Sequence, residues 1–382
     1  MKYFPFLLSA ILFYTFGTTE AQDTASAIRW KQYFNMSHYL EPFWKADTIY
    51  DETIQPLKEG NSPAEAKLLF KAKKIISVKD GYLKKEFKNG IDWTYKNGKI
   101  ILPAGSSAPY FNKNELSFNK EKPGWTQPGV KPGTYVLFQE GFYFASKQLK
   151  VTYVREKNEK WKGPVPVFAE TLLPKTISKL LKKDTLKIVD YGDSITEGAS
   201  ASGMKLLNFS PFMPTWAELI TYDLEASYHS PVISVNLGVG GTTSQYGADN
   251  VVKNVVPQKP DLTIIAFGMN DGTLKVDPEK FRENIRIIID SIRKDNADAE
   301  FILVCTMLAN PATVFSQIQE SYKNILDSFA GNGIVIANMT GVHKELLNHK
   351  SYQDMTGNNI NHPNDYLIRW YAQFISGLLI QK

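Results

Sequence analysis

Four short segments carry residue types that could together supply a nucleophile, oxyanion donors and a general base. Gly192-Asp193-Ser194-Ile195-Thr196-Glu197-Gly198 follows an apolar run and presents a serine hydroxyl, a nucleophile once a base takes its proton. Asn236-Leu237-Gly238-Val239-Gly240-Gly241-Thr242-Thr243 is a glycine-rich loop whose N–H groups can point outward at an anion. Gly268-Met269-Asn270-Asp271-Gly272 offers an amide able to donate to a developing oxyanion. Asn358-Asn359-Ile360-Asn361-His362-Pro363-Asn364-Asp365 supplies a histidine that could serve the serine as general base.

Each segment has a plainer reading by itself. Gly-Asp-Ser is also a helix N-cap, the glycine run a flexible loop, Gly-Met-Asn-Asp-Gly a turn, and a loop histidine a solvated one. Taken in order, they supply a nucleophile, two oxyanion donors and a base. The glycine loop lacks the Gly-Lys-Ser/Thr ending of a P-loop and the glycine spacing of a dinucleotide fingerprint. One cysteine, Cys305, excludes an intramolecular disulfide and a Cys-rich zinc site. The five histidines form no His-x-x-x-His pair that would suggest a metal-binding helix.

The elements that must position these groups follow a strand–helix rhythm. Buried-strand candidates are residues 186–191, 232–237, 262–267, 301–307 and 334–337. In residues 278–294, Phe281, Ile285, Ile288 and Ile292 fall on one helical stripe. In residues 365–379, Leu367, Trp370, Tyr371, Phe374 and Leu378 do the same. Such alternation predicts a parallel sheet covered on both faces, with active groups beyond the carboxyl ends of its strands.

The N-terminal half has a different rhythm. Residues 81–87 and 91–95 each end at Asn-Gly, and 99–102 end at Pro103, which predicts hairpins. Residues 134–139, 142–145 and 149–154 continue the pattern toward an antiparallel sandwich or jelly roll. A helical piece, 176–181, lies in the segment that joins the halves. Residues 22–185 carry a net +11 and residues 186–382 a net −6, so the overall +5 averages two unlike parts. Lys2, the apolar run 4–16 and Ala21 predict a signal peptide over 1–21. The expected organisation is therefore signal peptide 1–21, β-sandwich accessory domain 22–165, linker 166–185 and α/β domain 186–382. The mature chain is expected to be exported, periplasmic or extracellular, with no membrane span and no nucleic-acid partner.

The four motifs resemble those of the SGNH (GDSL) hydrolase superfamily over residues 186–382. Ser194, Gly241, Asn270 and His362 each match one family block. The resemblance implies a flavodoxin-like three-layer α/β sandwich. It implies a two-step esterase in which Ser194 attacks the ester and His362 shuttles the proton, with neither metal nor cofactor needed. The N–H groups of Ser194 and Gly241 and the Asn270 side chain would hold the oxyanion. One position departs from the pattern. The family usually places Asp three residues before the histidine, and here that residue is Asn359. Three arrangements stay open: His362 in a dyad, oriented by a backbone carbonyl or by Asn359; an acid from elsewhere in the loop, Asp354 before Asp365; or an impaired site. Asp365 reads as a helix-start residue, Asp193 as structural and Asp271 as loop packing.

The β-rich, aromatic N-terminal part is similar to that of two-domain bacterial carbohydrate acetylesterases with a jelly-roll domain. That resemblance implies release of O-acetyl groups from polysaccharides or oligosaccharides, an acetylated carbohydrate being the partner. A lipase or lysophospholipase is the enzymatic alternative. A non-catalytic carbohydrate-binding protein with a degenerate esterase site is the other. Five of the seven tryptophans lie in the N-terminal half, where they either stack on sugars or fill the core.

Overall fold

A computed structural model describes residues 29–381. The expected signal peptide, 1–21, lies outside them. Among the described residues no helix is long and apolar enough to cross a membrane.

The N-terminal half is built from short, mostly antiparallel strands. Six of them bear on the site: β1 (Thr48–Ile54), β2 (Ala72–Asp80), β3 (Thr94–Lys96), β4 (Lys99–Leu102), β5 (Tyr135–Leu137) and β6 (Leu149–Arg155). β6 is the centre of a three-stranded sheet between β1 and β2. β5 is the centre of another, between the strands at Ser117–Phe118 and Thr126–Pro128. β3 and β4 open a five-stranded sheet, joined by the expected hairpin: Lys96 pairs with Lys99 across Asn97-Gly98. Both turn residues have positive φ, 52° and 78°, as a two-residue hairpin turn demands.

Two expected strands are not there. Residues 81–87 form turns with a single bridge from Glu86 to Lys79, and 142–145 form a turn leading into a short 3₁₀ helix. The cause is packing: a Cβ at Gly81 would lie 2.0 Å from the Ala145 carbonyl oxygen. The two segments press backbone to backbone, and only glycine fits there.

The C-terminal half matches its sequence pattern closely. In order come α1 (Pro174–Lys182), β7 (Leu186–Gly192), α2 (Ser194–Glu197), α3 (Trp216–Tyr228), β8 (Val232–Asn236), α4 (Ser244–Asn254), β9 (Leu262–Ala266), α5 (Pro278–Asp295), β10 (Glu300–Cys305), β11 (Ile334–Asn338) and α6 (Asp365–Leu379). The strands form one parallel sheet in the order β8-β7-β9-β10-β11, the flavodoxin-like arrangement. Cys305 closes β10, buried in the core, where burial pushes its thiol up to about 12.

The two halves share one hydrophobic core. A single buried cluster runs from Ile49, Leu149 and Val151 through Ile188 and Trp216 to Trp370 and Leu379. Helix α6 explains why. Its sequence showed one apolar stripe, yet all of its residues are buried. The N-terminal chain covers the polar side. Arg369 donates to the Tyr50 carbonyl at 2.6 Å and lies over the rings of Tyr39 and Phe43. Gln373 donates to the Tyr39 carbonyl at 2.7 Å and accepts from Phe43 N. Buried ion pairs also cross between the halves: Lys350 with Glu52, both fully buried, and Lys150 with Asp365 at 3.5 Å. In the first pair the acid comes from the basic half, so net charge alone does not describe the docking.

Candidate active site

Ser194 sits at the turn between β7 and α2, beyond the carboxyl end of a central strand. Asp193 caps α2 by accepting from Ile195 N at 3.0 Å, which fixes the turn that presents the serine. The Asp193 carboxyl is buried, and burial raises it to about 7 against the Ile195 hydrogen bond. It is thus a structural cap beside the nucleophile, in keeping with its expected role.

The glycine loop after β8 lies against the same turn. A Cβ on Gly240 would stand 3.9 Å from Ser194 Cβ, and one on Gly238 would collide with Glu197 N at 2.2 Å. Gly238 is therefore a close-approach residue that lets the loop reach Ser194. Asn270, in the short helix Met269–Thr273 after β9, donates from Nδ2 to the Thr242 carbonyl at 2.8 Å. That bond places its amide at the Gly241 loop. Asp271 is buried and accepts from Ser244 N and Oγ at the start of α4, anchoring the far end of the same loop. Ser194, Gly241 and Asn270 are thus brought to one place.

His362 completes the group. Its Nε2 is 3.0 Å from Ser194 Oγ. The loop that carries it is folded by Asn358, whose Oδ1 accepts from the backbone N of Ile360, Asn361 and His362 at 2.9–3.1 Å. The other ring nitrogen, Nδ1, lies 3.0 Å from Oε1 and 3.3 Å from Oε2 of Glu140. Asn358 Nδ2 also donates to Glu140 Oε1 at 2.9 Å. A proton on Nδ1 facing the carboxylate leaves Nε2 free to accept from the serine.

Of the orienting groups left open, the structure places neither Asn359 nor Asp354 at Nδ1. Asn359 does not face the imidazole. It is fully buried with φ +67°, donates to the Leu137 carbonyl at 3.0 Å, and accepts from Gln353 and Asn310. Asp354 is also turned away, its oxygens taken by Gln55 N at 2.5 Å and Ser351 N at 2.7 Å. Asp365 begins α6 as expected and holds Ser202 N and Oγ. The residue at Nδ1 is Glu140, which the sequence had passed over. It stands between the strand candidates 134–139 and 142–145, and no local spacing ties it to His362.

The electrostatics suit a base. Burial alone would raise the Glu140 carboxyl. The hydrogen bond and charge of His362, with the Asn358 amide, outweigh that and hold it below the ordinary glutamate value.

Two loops, one following Glu140 and one following α2, carry exposed apolar side chains. Phe142 is 63% exposed and Leu206 81%. Their loops touch, since a Cβ on Gly141 would sit 3.8 Å from Leu207 Cδ2. Of the five N-terminal tryptophans, Trp30 and Trp93 are buried, and Trp44 and Trp161 pack on the core. Trp125 is the exposed one, at 46%, edge-on to Tyr143.

Fold and site together resemble those of serine hydrolases of the GDSL type. Residues 191–366, which hold all four motifs, match the sequence model of the GDSL-like Lipase/Acylhydrolase family. The chain is 27% identical over 113 residues to the uncharacterized lipoprotein YqeF of Bacillus subtilis (strain 168), covering 28% of this chain and 43% of that one. A two-domain esterase (CEX) active on acetylated mannans, co-crystallized with mannopentaose, aligns at 22% identity with a TM-score of 0.46, covering 57% of this chain and 55% of that one. Axe2, an acetylxylan esterase from Geobacillus stearothermophilus, aligns at 18% identity with a TM-score of 0.41, covering 51% and 95%. The alignments therefore span about half the length of YqeF and of CEX.

Proposed function

We propose that the chain is an exported serine esterase that removes O-acetyl groups from polysaccharides or oligosaccharides through an acyl-enzyme. The observation that carries the hydrolase reading is the 3.0 Å contact between Ser194 Oγ and His362 Nε2 beside the Gly241 loop. Ser194 attacks the acetyl carbonyl as His362 takes its proton. The oxyanion is held by the N–H groups of Ser194 and Gly241 and by Asn270 Nδ2. His362 then protonates the departing sugar oxygen. Water, activated by the same imidazole, attacks the acetyl-enzyme and releases acetate.

The carbohydrate part rests on the N-terminal half. We read its mostly antiparallel sheets as the jelly-roll-type accessory domain of the 22–165 division, and Trp125 as a face on which a sugar ring can stack. A second reading has its own observation: Phe142, two residues after Glu140, is apolar and exposed and would suit an acyl chain. Hydrolysis rates on p-nitrophenyl esters from acetate to palmitate separate the two. A maximum at acetate is expected, and a maximum at long chains would replace this proposal with the lipase.

A further inference from the structure

We infer that Glu140, delivered by the N-terminal half, is the positioning carboxylate of His362, and that Asn359 serves instead as the clamp that holds Glu140's strand in place. The inference rests on the serine-esterase reading for its catalytic consequence, but its geometry stands apart from any substrate.

The clamp is visible in the hydrogen bonds. Glu140 lies three residues beyond Leu137, the last residue of β5. Asn359 Nδ2 donates to the Leu137 carbonyl, while its Oδ1 is fixed by Gln353 Nε2 at 2.9 Å and Asn310 Nδ2 at 3.1 Å. The segment that follows the strand is tied as well: Phe138 N donates to the Trp125 carbonyl and Gln139 Nε2 to the Gly124 carbonyl, both at 2.8 Å. Glu140 then meets His362 and Asn358. An aspartate at 359 has no N–H to give Leu137 and would set a charged oxygen against a buried carbonyl. The left-handed φ of residue 359 also suits asparagine. The family's acid position and the new acid are therefore coupled: the side chain that could not carry the charge is the one that seats its substitute.

The remaining carboxyls near the imidazole do not compete. Asp193 caps α2, Asp354 is engaged by Gln55 and Ser351, and Asp365 by Ser202 and Lys150. The Glu140 side chain is 43% exposed, so solvent screens its charge. Its removal should cost less than the about 10⁴-fold seen when a buried triad aspartate becomes asparagine.

The test uses the full chain and the variants Glu140→Gln, Glu140→Asp, Asn359→Asp, and the Glu140→Gln/Asn359→Asp double. Two readouts are taken: p-nitrophenyl acetate kinetics across pH, and the His362 ring titration followed by NMR. Glu140→Gln is expected to lower kcat by about 10²-fold with KM within about twofold, to shift the acid limb to lower pH, and to move the midpoint of the ring titration the same way. Glu140→Asp should recover part of each. Asn359→Asp should lower activity and should not rescue Glu140→Gln. A ring titration and kcat unchanged in Glu140→Gln, or a double variant restored to wild-type rate, overturns the inference. The NMR readout needs no turnover, so failure of the esterase reading, seen as no ester hydrolysis in the wild type, is told apart from failure of the Glu140 assignment.

Discussion

Glu140 Oε1 lies 3.0 Å from His362 Nδ1 although the two residues are 222 positions apart. The contact joins the β-rich half to the proposed base in the α/β half. The proposed catalytic group therefore draws on both halves and cannot be lifted out of the chain as a module. The same holds for α6, whose outer face is covered by Tyr39, Phe43 and Tyr50.

A fragment beginning at residue 186 should therefore fail twice. It lacks Glu140, and it exposes Arg369 and the covered side of α6 to solvent. Expressed alone, it should be aggregated or show broad, non-cooperative unfolding by circular dichroism. A soluble fragment with wild-type ester hydrolysis would contradict this.

The Lys350–Glu52 pair is fully buried and crosses between the halves. Glu52 also accepts from Tyr153 OH and Leu69 N. Lys350→Met leaves that carboxylate without its cation, and should cost about 3–5 kcal/mol in urea unfolding. Adding Glu52→Gln should return part of the loss. Equal, additive losses from the two changes would show that the pair is not coupled.

Asp190 gives a pH signature away from the site. Burial raises its carboxyl from 3.8 to about 7, against one hydrogen bond from Ser234 Oγ. Between those values the folded chain keeps a proton that the unfolded chain has released. Stability from this group is thus full below about pH 4, falls as pH rises, and levels off above about 7. Asp190→Asn removes the charge that must be buried. It should stabilise by about 2–4 kcal/mol at pH 8 and by little at pH 4.5. Parallel urea midpoints at the two pH values would refute the assignment.

Trp125 tests the carbohydrate part. If its exposed face stacks on a sugar, Trp125→Ala should raise KM on acetylated polysaccharide by about 5–10-fold, the loss of about 1–1.5 kcal/mol of contact. Activity on p-nitrophenyl acetate should stay the same. Equal effects on both substrates would return Trp125 to a packing role.

Much of this was legible beforehand, for physical reasons. Buried parallel strands read as continuous apolar runs, so β7 to β11 stood out, and α5 showed its stripe. Asn97-Gly98 announced its hairpin because both residues must take positive φ. Residues 81–87 and 142–145 misled because their aromatic, alternating pattern serves backbone packing at Gly81 rather than a ladder. Helix α6 showed one apolar stripe because its second face is matched by polar side chains bonded to N-terminal carbonyls. Glu140 left no local mark, since its meaning depends on a partner in the other half. Asn359 was visible as a departure, but its bond to Leu137 was not.

The central claim is tested most directly by acetate release from acetylated xylan and acetylated mannan, comparing wild type with Ser194→Ala. The wild type should release acetate from at least one of the two polymers, and Ser194→Ala should lose at least about 10⁴-fold of that rate while remaining folded. Release by Ser194→Ala at the wild-type rate, or no ester hydrolysis by the wild type on any of these substrates, would contradict the account.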